Sequence, residues 1–254
     1  MVDGQNLKPR THIAIMSGHS KWSTIKHQKG ATDKKRSQNF SRSVKLITIA
    51  AKEGGADPES NFKLRLAMDK AKAINMPKDN IERAISRATG GDAGGEELYQ
   101  LFYEGFGPFQ TAIIVECVTD NKNRSLSQVK SFFEKRGYSL GSTGSVSYLF
   151  DQNGEISVEK GENPDELELK LMDFNPDDIE ERGDSFILYS RVGDLAKMHR
   201  QLKESGLRVL ESGLLYKPKS KIKIPDDKKE DFLDFLDKLS DLEDVEEIYT
   251  NADL

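Results

Sequence analysis

Cysteine is nearly missing from this chain. Cys117 is the only one in 254 residues, which excludes intrachain disulfides and cysteine-based zinc sites. No apolar run approaches the roughly 20 residues that a membrane-spanning helix needs. The longest, TAIIVECV at 111–118, has the length of a strand and places Cys117 in mid-strand as a small buried hydrophobe. Phosphate-cradling loops are lacking too. Neither YEGFGPFQ (103–110) nor GSTGS (141–145) is followed by Gly-Lys-Ser/Thr, and the second fits a turn before a strand better. No Ser/His/Asp, Cys/His or paired-carboxylate arrangement is visible, so no cofactor is expected, and an enzyme with an unrecognised site is the runner-up to a non-enzymatic protein. Residues 1–15 have no apolar h-region and only two basic residues, which fits neither a signal nor a transit peptide. They are expected to be a disordered extension or leader ahead of Met16, in a cytoplasmic protein.

What is present is charge, unevenly placed. The formal net charge is −5, with 38 Lys plus Arg against 43 Asp plus Glu. Residues 1–95 hold 18 of those cations and only 9 of the acids, while residues 96–254 hold 20 and 34. A basic module joined to an acidic one is the pattern of a polyanion binder. The acidic stretches, chiefly 163–184, show no tight ligand spacing and read as solvated faces, or as a surface for a basic protein partner.

The basic part has helical periodicity. Phe40, Val44, Ile47 and Ala51 form one apolar stripe, with Lys34, Lys35, Arg42, Lys45 and Lys52 largely off it. Thr32 is a candidate N-cap, and Gly54-Gly55 a stop. A second helix is expected to open with Asp57 as cap and Pro58 in the first turn. A third follows the turn NMPKDN, with Ile81, Ala84, Ile85 and Ala88 inward and Arg83 and Arg87 on an exposed face. The linker GGDAGGEE (90–97) marks the first boundary.

Beyond it, strands are expected at 111–119, 144–150, 155–159, 178–182, 185–190, 208–216, 219–224 and 245–250. Helices are expected at 123–136, 164–174, 194–205 and over DDKKEDFLDFLDKL, with Asp120 or Asn121 capping the first. The inner stretch is a complete βαββαβ unit, and the flanking halves make a second. The predicted fold class is α+β: a basic helical domain at 16–95, a discontinuous ferredoxin-like domain at 96–152 plus 214–254, and an inserted one at 153–213.

Four motifs carry a family resemblance: GHSKWSTIKHQKGATDKKR, AKAINMPKDNIERAI, YEGFGP and VECVTDNKNR. From Met16 onward the chain closely resembles the YebC family, also called PmpR in some members. The resemblance implies a helical N-terminal domain followed by two α/β domains, and no enzymatic activity. Some members are described as DNA-binding transcriptional regulators and others as ribosome-associated translation factors, including a mitochondrial translational activator. Family members usually carry glycine where Phe109 and Gln110 stand here.

The opening motif gives the same direction on physical grounds. Lys21, Lys26, Lys29, Lys34, Lys35 and Arg36 can neutralise phosphates, with His19 and His27 as hydrogen-bond donors among them. No third ligand accompanies the two histidines, so no metal is expected. Trp22 can stack on an unpaired base or plug the helical core. Arg42, Lys45, Arg83 and Arg87 complete the candidate nucleic-acid surface. The turn before the third helix, a family hallmark, makes Asn75, Met76, Pro77 and Asn80 candidates for partner contact, or for fixing the interhelix angle. The expected function is a non-enzymatic, nucleic-acid-binding regulator of gene expression. Its target is ribosomal RNA in the leading reading and duplex DNA in the alternative, and no small-molecule substrate or membrane is implied.

Overall fold

The computed structural model describes residues 20–21, 33–90 and 97–254, with side chains from Ser37 onward. Three helices open it: α1 (Asp33–Gly54), α2 (Phe62–Ala73) and α3 (Lys78–Thr89). Their shared core gathers Ile47, Ala50 and Ala51 from α1, Leu64, Ala67 and Ala71 from α2, and Ile81 and Ala84 from α3, with Phe40 and Val44 at its margin. The stripe read from sequence is therefore the buried face. The start of α2 differs from expectation. Asp57 is occupied locally, accepting from the Glu59 amide (2.9 Å) and the Ser60 hydroxyl (3.1 Å). Asn61 is the cap instead. Its side-chain oxygen accepts from the Leu64 amide (3.0 Å), and its amide group donates to the carbonyls of Ala50 (2.7 Å) and Gly55 (2.8 Å). One buried side chain thus starts α2 while satisfying carbonyls at the end of α1.

The first sheet has the order β1-β10-β3-β2-β4. Its strands are β1 (Ser20–Lys21), β2 (Tyr99–Phe106), β3 (Ala112–Thr119), β4 (Ser139–Leu140) and β10 (Val245–Thr250). Alternation along β3 divides two cores. Ile113, Val115 and Cys117 face α4 (Lys122–Glu134) and α7 (Lys229–Ser240), where they meet Val129, Phe133, Phe232 and Leu236. Ala112 and Ile114 face the other way, onto Val146, Phe150, Ile187, Tyr189 and Leu215. Burial on both faces explains why this strand reads as one apolar run. It also pushes the Cys117 thiol up to about 12, which leaves it inert.

The second sheet is made by β5 (Phe150–Glu159), β6 (Asp178–Arg182), β7 (Ser185–Arg191) and β8 (Val209–Pro218), in the order β6-β7-β5-β8 with every neighbour antiparallel. Helices α5 (Pro164–Met172) and α6 (Leu195–Glu204) cover one face through Leu171, Leu195, Met198 and Leu202. This is the ferredoxin-like strand order.

Two strands depart from the sequence reading. The expected strand at 144–150 is a turn and a short 3-10 segment, Ser147–Leu149, leading directly into β5. The expected strand at 219–224 is reduced to β9 (Ile222–Lys223), which pairs in parallel with β11 (Ala252–Asp253) outside the main sheet. The place beside β3 is taken by β2, a strand the sequence reading did not contain. Its segment YQLFYEGF places Glu104 and Gly105 in buried positions, against ordinary strand preference. Glu104 is tolerated there because its carboxylate accepts from the amides of Gly144, Val146 and Ser147, each at 2.8 Å.

Candidate nucleic-acid interface

His19, Trp22, Lys26, His27 and Lys29 lie outside the described residues. The backbone of Lys21 is placed: β1 pairs with the end of β10, Ser20 opposite Thr250 and Lys21 opposite Tyr249. Ser20 and Lys21 thus form the edge of the first sheet. Lys34, Lys35 and Arg36 fall in the first turn of α1.

Arg42 and Lys45 lie off the apolar stripe, as the periodicity requires, but they face protein. The Arg42 guanidinium donates to the carbonyls of Ser240 (3.0 Å) and Leu242 (2.9 Å), at the C-terminal end of α7. Carbonyls left without partners at a helix end carry partial negative charge, so a guanidinium suits them. The Lys45 ammonium donates to the Val118 carbonyl (3.3 Å) and to the buried Asp244 carboxylate (3.2 Å). Asp244 also accepts from the Thr119 hydroxyl (3.0 Å) and from Arg124 (3.2 Å). These two candidates therefore seat the helical unit on the first sheet, with their donors turned to protein rather than outward.

Most other described cations of the helical unit are also engaged. Lys63 pairs with Glu53 (2.7 Å), Arg65 with Glu59 (2.7 Å), Lys72 with Asp69 (3.2 Å) and Lys78 with Glu82 (3.2 Å). Lys70 reaches both Glu246 and Glu247. Arg83 and Arg87 differ: both are exposed on α3, one turn apart, and neither forms an ion pair with any described residue. Guanidinium groups held this way present donors outward for phosphate.

The turn before α3 splits by residue. Met76 is buried in the helical core, and its amide donates to the Ala71 carbonyl (3.0 Å). Its side chain is therefore not open to a partner. Asn75 and Pro77 are exposed, and Asn80 is half-buried. Asn75 holds a positive φ of 59°, which asparagine accepts more readily than most residues. Further along, Asn121 rather than Asp120 caps α4, accepting from the Arg124 amide at 3.0 Å. Asp120 pairs instead with Arg124, whose guanidinium hydrogen bond holds the carboxyl below its usual range.

Among the described residues no group of three or more His, Cys, Asp or Glu is placed to hold a metal ion, and no helix is long and apolar enough to cross a membrane.

A basic three-helix unit seated on two antiparallel sheets, the second of ferredoxin-like order, defines the class of protein. The chain belongs to the TACO1/YebC family: residues 20–91 match its N-terminal domain and residues 98–252 its second and third domains. A protein of Petrotoga mobilis named "Probable transcriptional regulatory protein" is 45% identical over 241 residues, covering 94% of this chain and 95% of that one. One from Desulforapulum autotrophicum, under the same description, is 40% identical over 240 residues, covering 94% and 97%. The crystal structure of a conserved hypothetical protein from Aquifex aeolicus superimposes with a TM-score of 0.81 at 34% identity, covering 91% of this chain and 96% of that one.

Proposed function

We propose that this protein is a non-enzymatic regulator of gene expression that binds nucleic acid through its helical unit. The observation that carries this reading is the exposed Arg83–Arg87 pair on α3, which forms no ion pair with any described residue in a unit whose other described cations are largely engaged by protein. The first turn of α1, with Lys34, Lys35 and Arg36, adds cationic sequence to the same unit. The names of the relatives support a regulator. The working partner in this reading is ribosomal RNA in the cytoplasm, met by the segment from Gly18 to Lys29. Trp22 between Lys21 and Lys26 combines stacking with phosphate neutralisation, which unpaired RNA rewards and an intact duplex does not. A second reading, DNA-binding transcriptional regulation, is favoured by the wording of the relatives' names. The acidic sheets orient the molecule and offer a surface to a basic protein partner.

Charge reversal tests the general claim. Replacing Lys34, Lys35 and Arg36 with Glu should abolish binding to ribosomes and to nucleic acid while leaving thermal unfolding unchanged. Wild-type affinity should fall with salt at a logarithmic slope of about −0.7 to −0.9 per neutralised phosphate, and a slope near zero overturns the reading. Trp22→Ala separates the two targets. It should weaken ribosome association by about 1–3 kcal/mol for a lost stack and spare duplex DNA affinity. Unchanged ribosome binding, or a promoter sequence held far above random DNA, would favour transcription.

A further inference from the structure

Within the acidic remainder of the chain, α4 and the turn that follows it are basic. Across α4 and its C-terminal turn stand Lys122, Arg124, Lys130, Lys135 and Arg136, against the single acid Glu134. Lys122, Lys130, Lys135 and Arg136 are exposed. Two are steadied by aromatic rings: the Lys122 ammonium lies 3.7 Å from the centre of the Tyr99 ring, and the Arg136 guanidinium 3.7 Å from that of Phe132. Lys130 has only a loose pair with Glu134 at 3.8 Å, and Lys135 forms no ion pair with any described residue.

The position of this helix matters as much as its charge. Arg124 near its start and Lys45 of α1 each lie 3.2 Å from the Asp244 carboxylate. Arg124 also pairs with Asp120, so the two acids at the junction are answered by two cations, and α4 begins where the basic unit is seated. On its other flank, Phe132 and Phe133 pack on Phe235 of α7 at centroid distances of 5.2 and 5.9 Å. Helix α7 carries Glu230, Asp231, Asp234 and Asp237, so a polyanion is repelled on that side and confined to α4.

We propose that α4 is a second phosphate-binding element. It continues the cationic surface of the helical unit across the Asp244 junction, and its ligand is the backbone of the same nucleic-acid strand. This rests on the nucleic-acid reading above and extends it to the first sheet. A helix of 13 residues offers a track of about 20 Å, enough for several phosphates.

The test uses the full chain and a short single-stranded RNA as probe, titrated across a salt series. The α4 variant carries Lys122→Glu, Lys130→Glu and Lys135→Glu. The control carries Lys170→Glu, Lys197→Glu and Arg200→Glu, an equal charge change on exposed positions of α5 and α6. The α4 variant should bind more weakly, with a salt slope shallower by about 0.7 for each phosphate that is no longer neutralised. The control should keep the wild-type slope. Equal slopes in the two variants would mean that only net charge matters, and would overturn the proposal. If α4 reversal changes nothing while reversal at Lys34, Lys35 and Arg36 abolishes binding, this inference fails and the function reading stands. A wild-type protein without salt-dependent binding overturns both.

Discussion

The Lys70 ammonium lies 2.9 Å from the Glu247 carboxylate, joining the third turn of α2 to β10 across 177 residues of sequence. Glu246 takes the same ammonium from the neighbouring position. Burial works against the charged ammonium, but the Glu246 and Glu247 carboxylates outweigh it and hold its pKa well above the ordinary value. Both acids are almost completely buried, at 5% and 4% side-chain exposure. Removing their cation is therefore more serious than removing an ordinary surface pair. Lys70→Met should cost about 2–4 kcal/mol in urea unfolding, below the full penalty of a dry pair because the ammonium keeps some contact with water. A loss under about 0.5 kcal/mol would mean that the pair behaves as a surface one.

Glu104 is a clamp on the loop before β5. Burial resists its ionisation, yet the amides of Gly144, Val146 and Ser147 together hold the carboxyl below its ordinary 4.5. A depressed carboxyl contributes stability that is fully present above the unfolded value and is lost as pH falls through the folded one. Wild-type protein should accordingly weaken in acid more steeply than Glu104→Gln. At neutral pH, Glu104→Ala should cost about 2–4 kcal/mol, because three charge-assisted hydrogen bonds disappear together. Hydrogen exchange at Gly144, Val146 and Ser147 should accelerate in the same variant. Unchanged exchange there would refute the clamp.

His199 should make the seating of α2 sensitive to pH. Its ring is buried at the junction with α2, edge-on to Phe62 at 5.5 Å, and its Nδ1 is buried without a hydrogen-bond partner among the described residues. Burial lowers its pKa from 6.5, and nearby Lys203 and Arg65 add to this, against a smaller opposing pull from Asp69. Here the neutral form is favoured in the fold, so stability is full above the unfolded value and falls as pH drops below it. The slope is at most about 1.4 kcal/mol per pH unit for one proton. Urea unfolding between about pH 7 and pH 5 should show this slope in wild type and lose it in His199→Phe. An identical slope in both would place the titration elsewhere.

How far the sequence carries depends on whether the deciding contact is local. The Phe40–Val44–Ile47–Ala51 stripe, a cap at Asp120 or Asn121 and the strands at 178–182 and 245–250 were legible, because each is set by neighbours a few residues away. Strand β2 was not, since Glu104 is acceptable in a buried strand only once a loop some 40 residues on supplies its amides. The cationic surface was legible as a charge total but not residue by residue. Periodicity places Arg42 and Lys45 off the helical core. It does not say whether water or another sheet lies there, and their partners at Ser240, Leu242 and Asp244 are about 200 residues distant. Arg83 and Arg87 read correctly as exposed because α3 has a single buried face.

The turn between β2 and β3 offers a prediction with two opposite signs. Phe109 and Gln110 both hold positive φ, 59° and 60°, in consecutive positions where the family resemblance implies glycine. The left-handed region costs a residue with a side chain about 1–2 kcal/mol, whereas glycine adds roughly 0.5–1 kcal/mol of unfolded-state entropy that folding must overcome. Gln110→Gly should therefore stabilise the protein by a net amount of about 0.5–1 kcal/mol. Two residues before Phe109 the argument reverses. A Cβ on Gly107 would stand 2.4 Å from the Ile113 side chain, in a strand buried on both faces with little room to yield. Gly107→Ala should destabilise, with a lower midpoint in urea. A stabilising Gly107→Ala, or a destabilising Gln110→Gly, would show that this turn adopts another conformation in solution.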